Sequence, residues 1–386
     1  MKKQIVIIGI GNCGGQVANL AEKRYPELFD TIYINSSEAD LAMVDTESSL
    51  KFKIGFREEI EGSGKNRKKM KEYLMEDINS ILMNEDLQNI ISEKKYCYII
   101  SSAAGGTGSG SSPVLMEILR QMFPDVNFIL VGVLPQINAS KLELGNALEF
   151  LTELYDKLGD DTTYMIYDNE TTKDLPATKA LEKVNDAIVE DLKVLSGVDN
   201  YATPYDSIDE ADLESIITTP GRLLVTRVTS NLTEKAMEDN NLDDLIIKTI
   251  KRGQHAETDR NKKVIRWGII TYFTEEVNNL YVPALSKVEE FIGTPVERFN
   301  HNAINPDNEN MNFLIFIASG LSPINDRVKR ITKRIEELDK LLSKDDNKFI
   351  LSGDGYSTSD DRKNTSKKNN NTNASINPKD ILKRFI

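Results

Sequence analysis

The chain has 386 residues, with 48 basic side chains against 61 acidic ones, a formal net charge of −13 and 39% hydrophobic residues. That length accommodates two domains and a tail, and the negative balance argues against broad nonspecific binding of DNA or membrane by the body, local basic patches aside. No apolar run is long enough to span a bilayer, and Met1 to Gln4 lead into a short strand with no small-residue cleavage site behind it, so a cytoplasmic protein is expected. Cys13 and Cys97 belong to different elements and form no metal-ligand pair, which fits a reducing compartment. With His255 and His301 as the two histidines, histidine-based hydrolysis and zinc catalysis have little support.

Ile5 to Ile10 form an apolar run suited to a central parallel strand, and residues 11–15 turn it into a helix beginning near Gln16. Gly9, Gly11 and Gly14 satisfy Gly-x-Gly-x-x-Gly, which makes a dinucleotide oxidoreductase the natural rival reading. That rival needs an acidic residue capping the second strand, Thr31 to Ile34. Asn35, Ser36 and Ser37 follow instead, with Glu38 as a substitute. Residues 61–66, Glu-Gly-Ser-Gly-Lys-Asn, precede a basic helix from Arg67 to Lys71 and read on their own as a solvated turn.

Cys97 to Ile100 read as a buried strand, Ser101 to Ser112 as a loop of small residues, and Pro113 as the first turn of a helix through Arg120. Gly105, Gly106, Gly108 and Gly110 leave backbone N–H groups bare to converge on an anion, where the helix dipole also favours negative charge. Thr107, Ser109 and Ser111 add short hydroxyls. The loop is no Walker A motif, since no Gly-Lys-Ser/Thr closes it. Its bland reading is a flexible linker, but linkers rarely join a buried strand to a proline-opened helix.

Gly105 to Gly110 resemble the signature loop of the tubulin and FtsZ superfamily, in which several loops at the carboxyl ends of parallel strands surround one guanine nucleotide. The resemblance continues in order along the chain. Gly11, Asn12, Cys13 and Gln16 resemble the first nucleotide loop, Asn35 the second, and Gly64, Lys65 and Asn66 the third, near the γ-phosphate. Ala104, Gly105, Gly106, Thr107, Gly108, Ser109 and Gly110 form the fourth. Ser37 stands where FtsZ has an Asp, and Ala139 and Glu143 stand where FtsZ has Glu and Arg, so no role is assigned to a fifth loop after the strand Val126 to Leu134.

Asp161 to Tyr167 is the next strand, and Asn169 follows where the family places a base-reading Asn; an amide offers both donor and acceptor to a guanine edge. Asp168 and Asn169 read alternatively as a plain turn. Ala177 to Ser196 carry Leu181, Val184, Ile188, Leu192 and Leu195 at helical spacing, closed by Gly197. This resembles the superfamily's core helix, with Asn185 and Asp186 matching the FtsZ Asn-Asp pair, either of which can contact the base. Residues 207–217 resemble the FtsZ acidic segment, with Asp209 and Asp212 at its two acidic positions. Such carboxylates at a helix start can orient a water or hold a cation, or merely cap the helix.

Strand-like runs at 223–228, 264–272 and 312–318, with a helix near 242–252, suit a smaller second α/β domain, in which Trp267 is read as a packing residue. Pro323 opens a long amphipathic helix that resembles one lying on the second domain. Residues 343–378 are polar and aperiodic and are expected to be disordered; residues 379–386 restore Ile381, Leu382, Phe385 and Ile386 among basic groups, as in a docking peptide. The expected organisation is a Rossmann-like parallel-sheet GTPase domain over 1–176, a core linking helix over 177–200, an acidic-loop and C-terminal α/β domain over 201–320, a long helix over 321–343, and a disordered tail over 344–386.

Within the superfamily the chain is most similar to the TubZ group of bacterial plasmid and phage segregation systems. That resemblance implies GTP/GDP and Mg²⁺ as ligands, head-to-tail filaments, and hydrolysis completed when Asp209 and Asp212 of one subunit meet the glycine loop of the next. It also implies a DNA-binding adaptor reached through the tail. The alternatives are an FtsZ-like division GTPase, a Rossmann oxidoreductase and a nucleotide-binding module that does not polymerise.

Overall fold

A computed structural model of the chain describes residues 3–46, 48, 50–55, 61–197, 210–229, 237, 242–259, 262–281, 285–304, 312–345 and 378–385. The described strands form one ten-stranded sheet. Its first half comprises β1 (Ile5–Ile10), β2 (Phe29–Asn35), β3 (Lys51–Lys53), β4 (Tyr96–Ser102), β5 (Asn127–Leu134) and β6 (Thr163–Asp168). These are all parallel, in the order β3-β2-β1-β4-β5-β6. Strands buried on both faces need no polar alternation, which is why β1, β4 and β5 read as continuous apolar runs.

Helices cover both faces: α1 (Gly11–Arg24), α2 (Glu38–Met43), α3 (Arg67–Leu82), α4 (Glu85–Ser92), α5 (Thr107–Met122) and α6 (Lys141–Thr152), the last continued by a π-helical turn over Glu153–Lys157. Residues alternate along each strand between the two cores. Val6, Ile8, Cys97 and Ile99 join α3 and α5 on one side. Ile5, Ile7, Tyr98 and Ile100 join α1 and α7 (Ala177–Leu195) on the other. Val184, Ile188, Leu192 and Leu195 of α7 are buried as the helical spacing predicts, whereas Leu181 is exposed.

The second half adds α8 (Glu210–Ile217), β7 (Gly221–Val228), α9 (Leu242–Arg252), β8 (Arg266–Phe273), α10 (Glu275–Asn278), α11 (Ser286–Ile292), β9 (Glu297–Ile304) and β10 (Phe313–Leu321). The sheet continues β6-β7-β10-β8-β9, with β10 antiparallel to β7 and β8. The seam is slight: β7 pairs with β6 only through Gly221 and Arg222 before it turns to β10. Trp267 is buried edge-on to Phe316, in the packing role expected of it.

α12 (Asn325–Asp345) packs on α6 of the first half and also reaches the second, where Asn325 N donates to Asp259 Oδ2 at 3.1 Å and Arg330 pairs with Glu257 at 2.6 Å. Its buried Arg327 requires an anion and finds one in Asp168 at the end of β6, with Nε to Oδ2 at 2.6 Å and Nη2 to Oδ1 at 2.9 Å. Within the stretch 344–386, residues 346–377 and 386 lie outside the described residues, while α13 (Pro378–Phe385) is helical and buries Ile381 and Phe385. Among the described residues, no helix is long and apolar enough to cross a membrane.

Candidate functional site

The carboxyl ends of the parallel strands open into a cleft of about 310 Å³. Gly11, Asn12 and Cys13 reach it from the start of α1, Asn35 and Ser36 from the end of β2, and Gly62 and Ser63 from the third loop. Ser102 and Ala104 to Gly108 arrive from the fourth, with Asp40 and Glu143 at its edge. A second cavity of about 160 Å³ adjoins it, sharing Gly11, Asn12, Asn35 and Asp40 and lined also by Gln16 and Asn19. Gln16 Nε2 donates to Asn12 Oδ1 at 3.0 Å between the two. Burial pushes the Cys13 thiol up to about 12, so it meets the cleft as a neutral S–H near neutral pH.

The glycine loop differs from its sequence reading in one respect. α5 starts at Thr107, six residues before Pro113, which therefore lies inside the helix. A proline there leaves the carbonyl four residues back without its helical donor, and that carbonyl is Ser109 O. Arg67 supplies the missing bond: Nη2 donates to Ser109 O at 2.8 Å and Nε to Ser109 Oγ at 3.1 Å. Arg67 is itself buried and paired with Glu149 and Glu153. Arg67 thus braces the loop from the start of the basic helix, while Lys68 and Lys69 beside it are exposed.

Other bonds lock the loops to one another. Ser36 Oγ lies 2.7 Å from Thr107 Oγ1, joining the second loop to the fourth. Asn146 Nδ2, on α6, donates to Lys65 O, Ala104 O and Gly105 O at 3.0, 3.0 and 3.2 Å, joining the third to the fourth. Gly106 is hemmed in, since a Cβ there would stand 2.5 Å from Ser63 Oγ and 2.8 Å from Asn66 N. Gly105 is the opposite case: its Cβ would meet nothing within 4 Å. Bare space over the N-terminus of α5, whose first N–H groups have no partner within the helix, has the shape and polarity a phosphate needs.

Residues 4–175 match the Tubulin/FtsZ family, GTPase domain. That stretch of the chain is a tubulin/FtsZ-type GTPase domain. It is 23% identical over 358 residues to the tubulin-like protein TubZ of Clostridium botulinum C phage, covering 91% of this chain and 89% of that one. Tubulin-like protein CetZ of Pyrococcus abyssi is 28% identical over 230 residues, but the match spans 56% of this chain and 58% of CetZ. In fold, the chain is similar to a GTPγS-form protofilament of Bacillus thuringiensis serovar israelensis TubZ, with a TM-score of 0.69 at 15% identity, covering 89% of this chain and 92% of that one.

Against this superfamily frame, Gly11, Asn12, Cys13, Asn35, Ala104, Gly105, Gly106, Thr107 and Gly108 come together in the main cleft, and Gln16 lines its extension. Ser109 and Gly110 do not line it. Both are buried against Arg67, and Ser109 Oγ donates to Gly105 O. From the third loop Gly62 and Ser63, rather than Gly64, Lys65 and Asn66, form the wall. Lys65 instead pairs with Glu143 at 2.8 Å, and Asn66 caps α3 by accepting from Lys69 N at 3.1 Å. Glu143 opposes burial, which would raise its pKa, with Lys65 and Ser140, and ends below the ordinary carboxylate value.

Asn169, Asn185 and Asp186 line neither cavity. Asp186 Oδ1 accepts from Arg24 Nη2 at 2.7 Å, tying α7 to α1, while Asn169 Oδ1 is buried without a hydrogen-bond partner. Glu38, the substitute acid of the oxidoreductase reading, is exposed and paired with Lys53. Asp209 lies outside the described residues. Asp212 sits on α8 at the opposite end of the sheet: Lys95, just before β4, pairs with Glu210 and Glu214 of that helix at 2.8 and 3.0 Å. Ser36 and Ser63 lie within the second and third loops without having been singled out; sequence reasoning missed Asp40, whose partner Asn35 is five residues away, and Arg67 and Asn146, whose partners are distant in the chain.

Proposed function

We propose that the chain binds GTP in the cleft and hydrolyses it at the junctions of a head-to-tail filament, where Asp212, with Asp209, of one subunit completes the site of its neighbour. One observation carries the reading. The cleft lies at the carboxyl ends of the parallel strands, and α8 lies at the amino end of β4, a seven-residue strand. At about 3.3 Å per residue, roughly 20 Å of sheet separates them. A carboxylate there cannot reach its own subunit's cleft, but stacking subunits along the strand direction brings the two surfaces together. The superfamily match and the likeness to a protofilament support the same arrangement.

In this reading the N–H groups at the start of α5 hold the triphosphate and its dipole favours the charge. Among the described residues no cluster of three ligating side chains forms a metal site, so Mg²⁺ would be held jointly by the phosphates and cleft groups, with Asp40 and the Thr107 hydroxyl as the protein's contribution. Bound Mg²⁺ would neutralise charge on the phosphates. The orphaned Asn169 Oδ1 is an acceptor suited to a guanine N–H, with Asn185 as its companion on α7, since Arg24 already holds Asp186.

The similarity to TubZ proteins extends the reading to segregation of plasmid or phage DNA in the cytoplasm, with residues 344–386 reaching a DNA-binding adaptor. Electron microscopy with GTP, GDP and ATP, paired with phosphate release at several protein concentrations, tests the proposal. Filaments with GTP and turnover per subunit that rises with protein concentration are expected. Turnover per subunit unchanged on dilution would contradict it.

A further inference from the structure

α13 does not lie free. Its apolar face is buried against the first domain, where Ile381 and Phe385 are 5% and 4% exposed and join the cluster that contains α3 and α5 residues. Lys71 Nζ on α3 donates to Phe385 O at 2.8 Å, and Lys71 and Lys157 stand over the Phe385 ring at 5.9 and 5.4 Å from its centre. At the other edge Arg384 Nη1 donates to Glu117 Oε1 on α5 at 3.1 Å. The contact is chemically specific: two cations frame an aromatic face, a buried ammonium binds one particular carbonyl, and an acid receives the helix's basic edge.

The floor of this groove is the brace of the glycine loop. Glu153 accepts from Arg67 through Oε2 and from Lys71 through Oε1. Arg67 in turn holds Ser109 O and Oγ, so three side chains join Phe385 to the start of α5. A cavity of about 490 Å³ runs beside Phe385 along Arg67, Lys71, Leu148 and Glu153, leaving the segment room to leave and return.

We propose that the groove between α3, α5 and the π-helical turn is a binding site for an amphipathic basic helix, and that its occupant is the chain's own segment Pro378–Phe385, docked within the same subunit. Attachment through residues 346–377 makes the binding intramolecular, at an effective concentration of roughly millimolar. The consequence is self-masking: the apolar side chains a partner of the segment would read are sequestered until it undocks. This goes beyond the GTP-hydrolysis reading and does not depend on it.

The test uses the full chain and a fluorescein-labelled peptide of residues 376–386. In the full-chain double variant Ile381→Asp, Phe385→Asp the groove is vacated, so the peptide binds it at least about tenfold more tightly than it binds wild type, whose own segment competes. Adding Lys71→Met to that variant weakens the peptide by roughly tenfold, through loss of the bond to the Phe385 carbonyl. Hydrogen exchange of α3 and α5 is faster in the double variant than in wild type, by the same factor at low and high protein concentration. Equal peptide binding to variant and wild type, or binding to neither, would overturn the proposal. So would a difference in exchange that appears only at high concentration, since that places the segment on a neighbouring subunit.

Discussion

Replacing Arg67 by Met removes a buried guanidinium that serves four groups at once: Ser109 O, Ser109 Oγ, Glu149 and Glu153. Breaking such a buried network from one side costs about 3–5 kcal/mol, because Glu153 keeps its charge with Lys71 as its remaining partner. Part of that cost is specific to this helix, since Pro113 has no N–H for Ser109 O, and a buried carbonyl left bare costs about 1–2 kcal/mol. In a Pro113→Ala background the alanine N–H can take Ser109 O along the helix, and Arg67→Met becomes cheaper by that amount. Denaturant unfolding of wild type, the two single variants and the double variant closes the cycle. A coupling of about 1–2 kcal/mol is expected, and costs that add to within roughly 0.4 kcal/mol would refute the claim that Arg67 substitutes for the missing helical bond.

The two leading glycines of the loop separate fold from ligand. Gly106→Ala forces its Cβ onto Ser63 and Asn66 and lowers both Tm and nucleotide affinity, whereas Gly105→Ala, opening onto free space, leaves Tm almost unchanged and lowers affinity alone; calorimetry with and without GTP reads both, and equal losses of Tm would count against the cleft assignment. Asn169→Ala should weaken GTP by roughly tenfold while leaving ATP unchanged, so direct titration of both nucleotides checks the base-reading role. Burial alone would raise the Asp30 carboxyl, but Lys94 and Lys3 more than reverse this and hold it below its ordinary 3.8. The stability it contributes is complete above about pH 4 and is lost as pH falls through the lowered value, so Tm measured from pH 5 to pH 2.5 should fall less steeply in Asp30→Asn than in wild type.

The loops that line the cleft were legible where glycine and apolar runs sit side by side. Ile5 to Ile10 and Tyr96 to Gly110 announce a strand running into a backbone-exposing turn, and both turns lie at the cleft. The start of α5 was misplaced because Pro113 looks like a first-turn residue; nothing local reveals that Arg67 repairs the helix around it. For the same reason Arg67 and Lys71 read only as part of a basic helix, although their partner Glu153, in the π-helical turn after α6, is buried with both. Asn146 is silent in the sequence, being one polar residue in a helix, until folding brings three carbonyls to its amide. β9 was missed because Glu297, Arg298 and Asn300 face solvent on an edge strand and leave no apolar alternation.

In the proposed filament the hydrolytic site is shared between subunits, and mixing two defective proteins tests this most directly. Thr107→Ala weakens the cleft but keeps α8, while Asp212→Ala keeps the cleft but lacks the carboxylate. At a GTP concentration that saturates wild type but not Thr107→Ala, each alone should turn over slowly. In an equal mixture that copolymerises at random, roughly one junction in four joins an intact cleft to an intact α8. GTP hydrolysis should therefore return to about a quarter of the wild-type rate. Copolymerisation confirmed by microscopy, with no hydrolysis regained, would contradict the shared site.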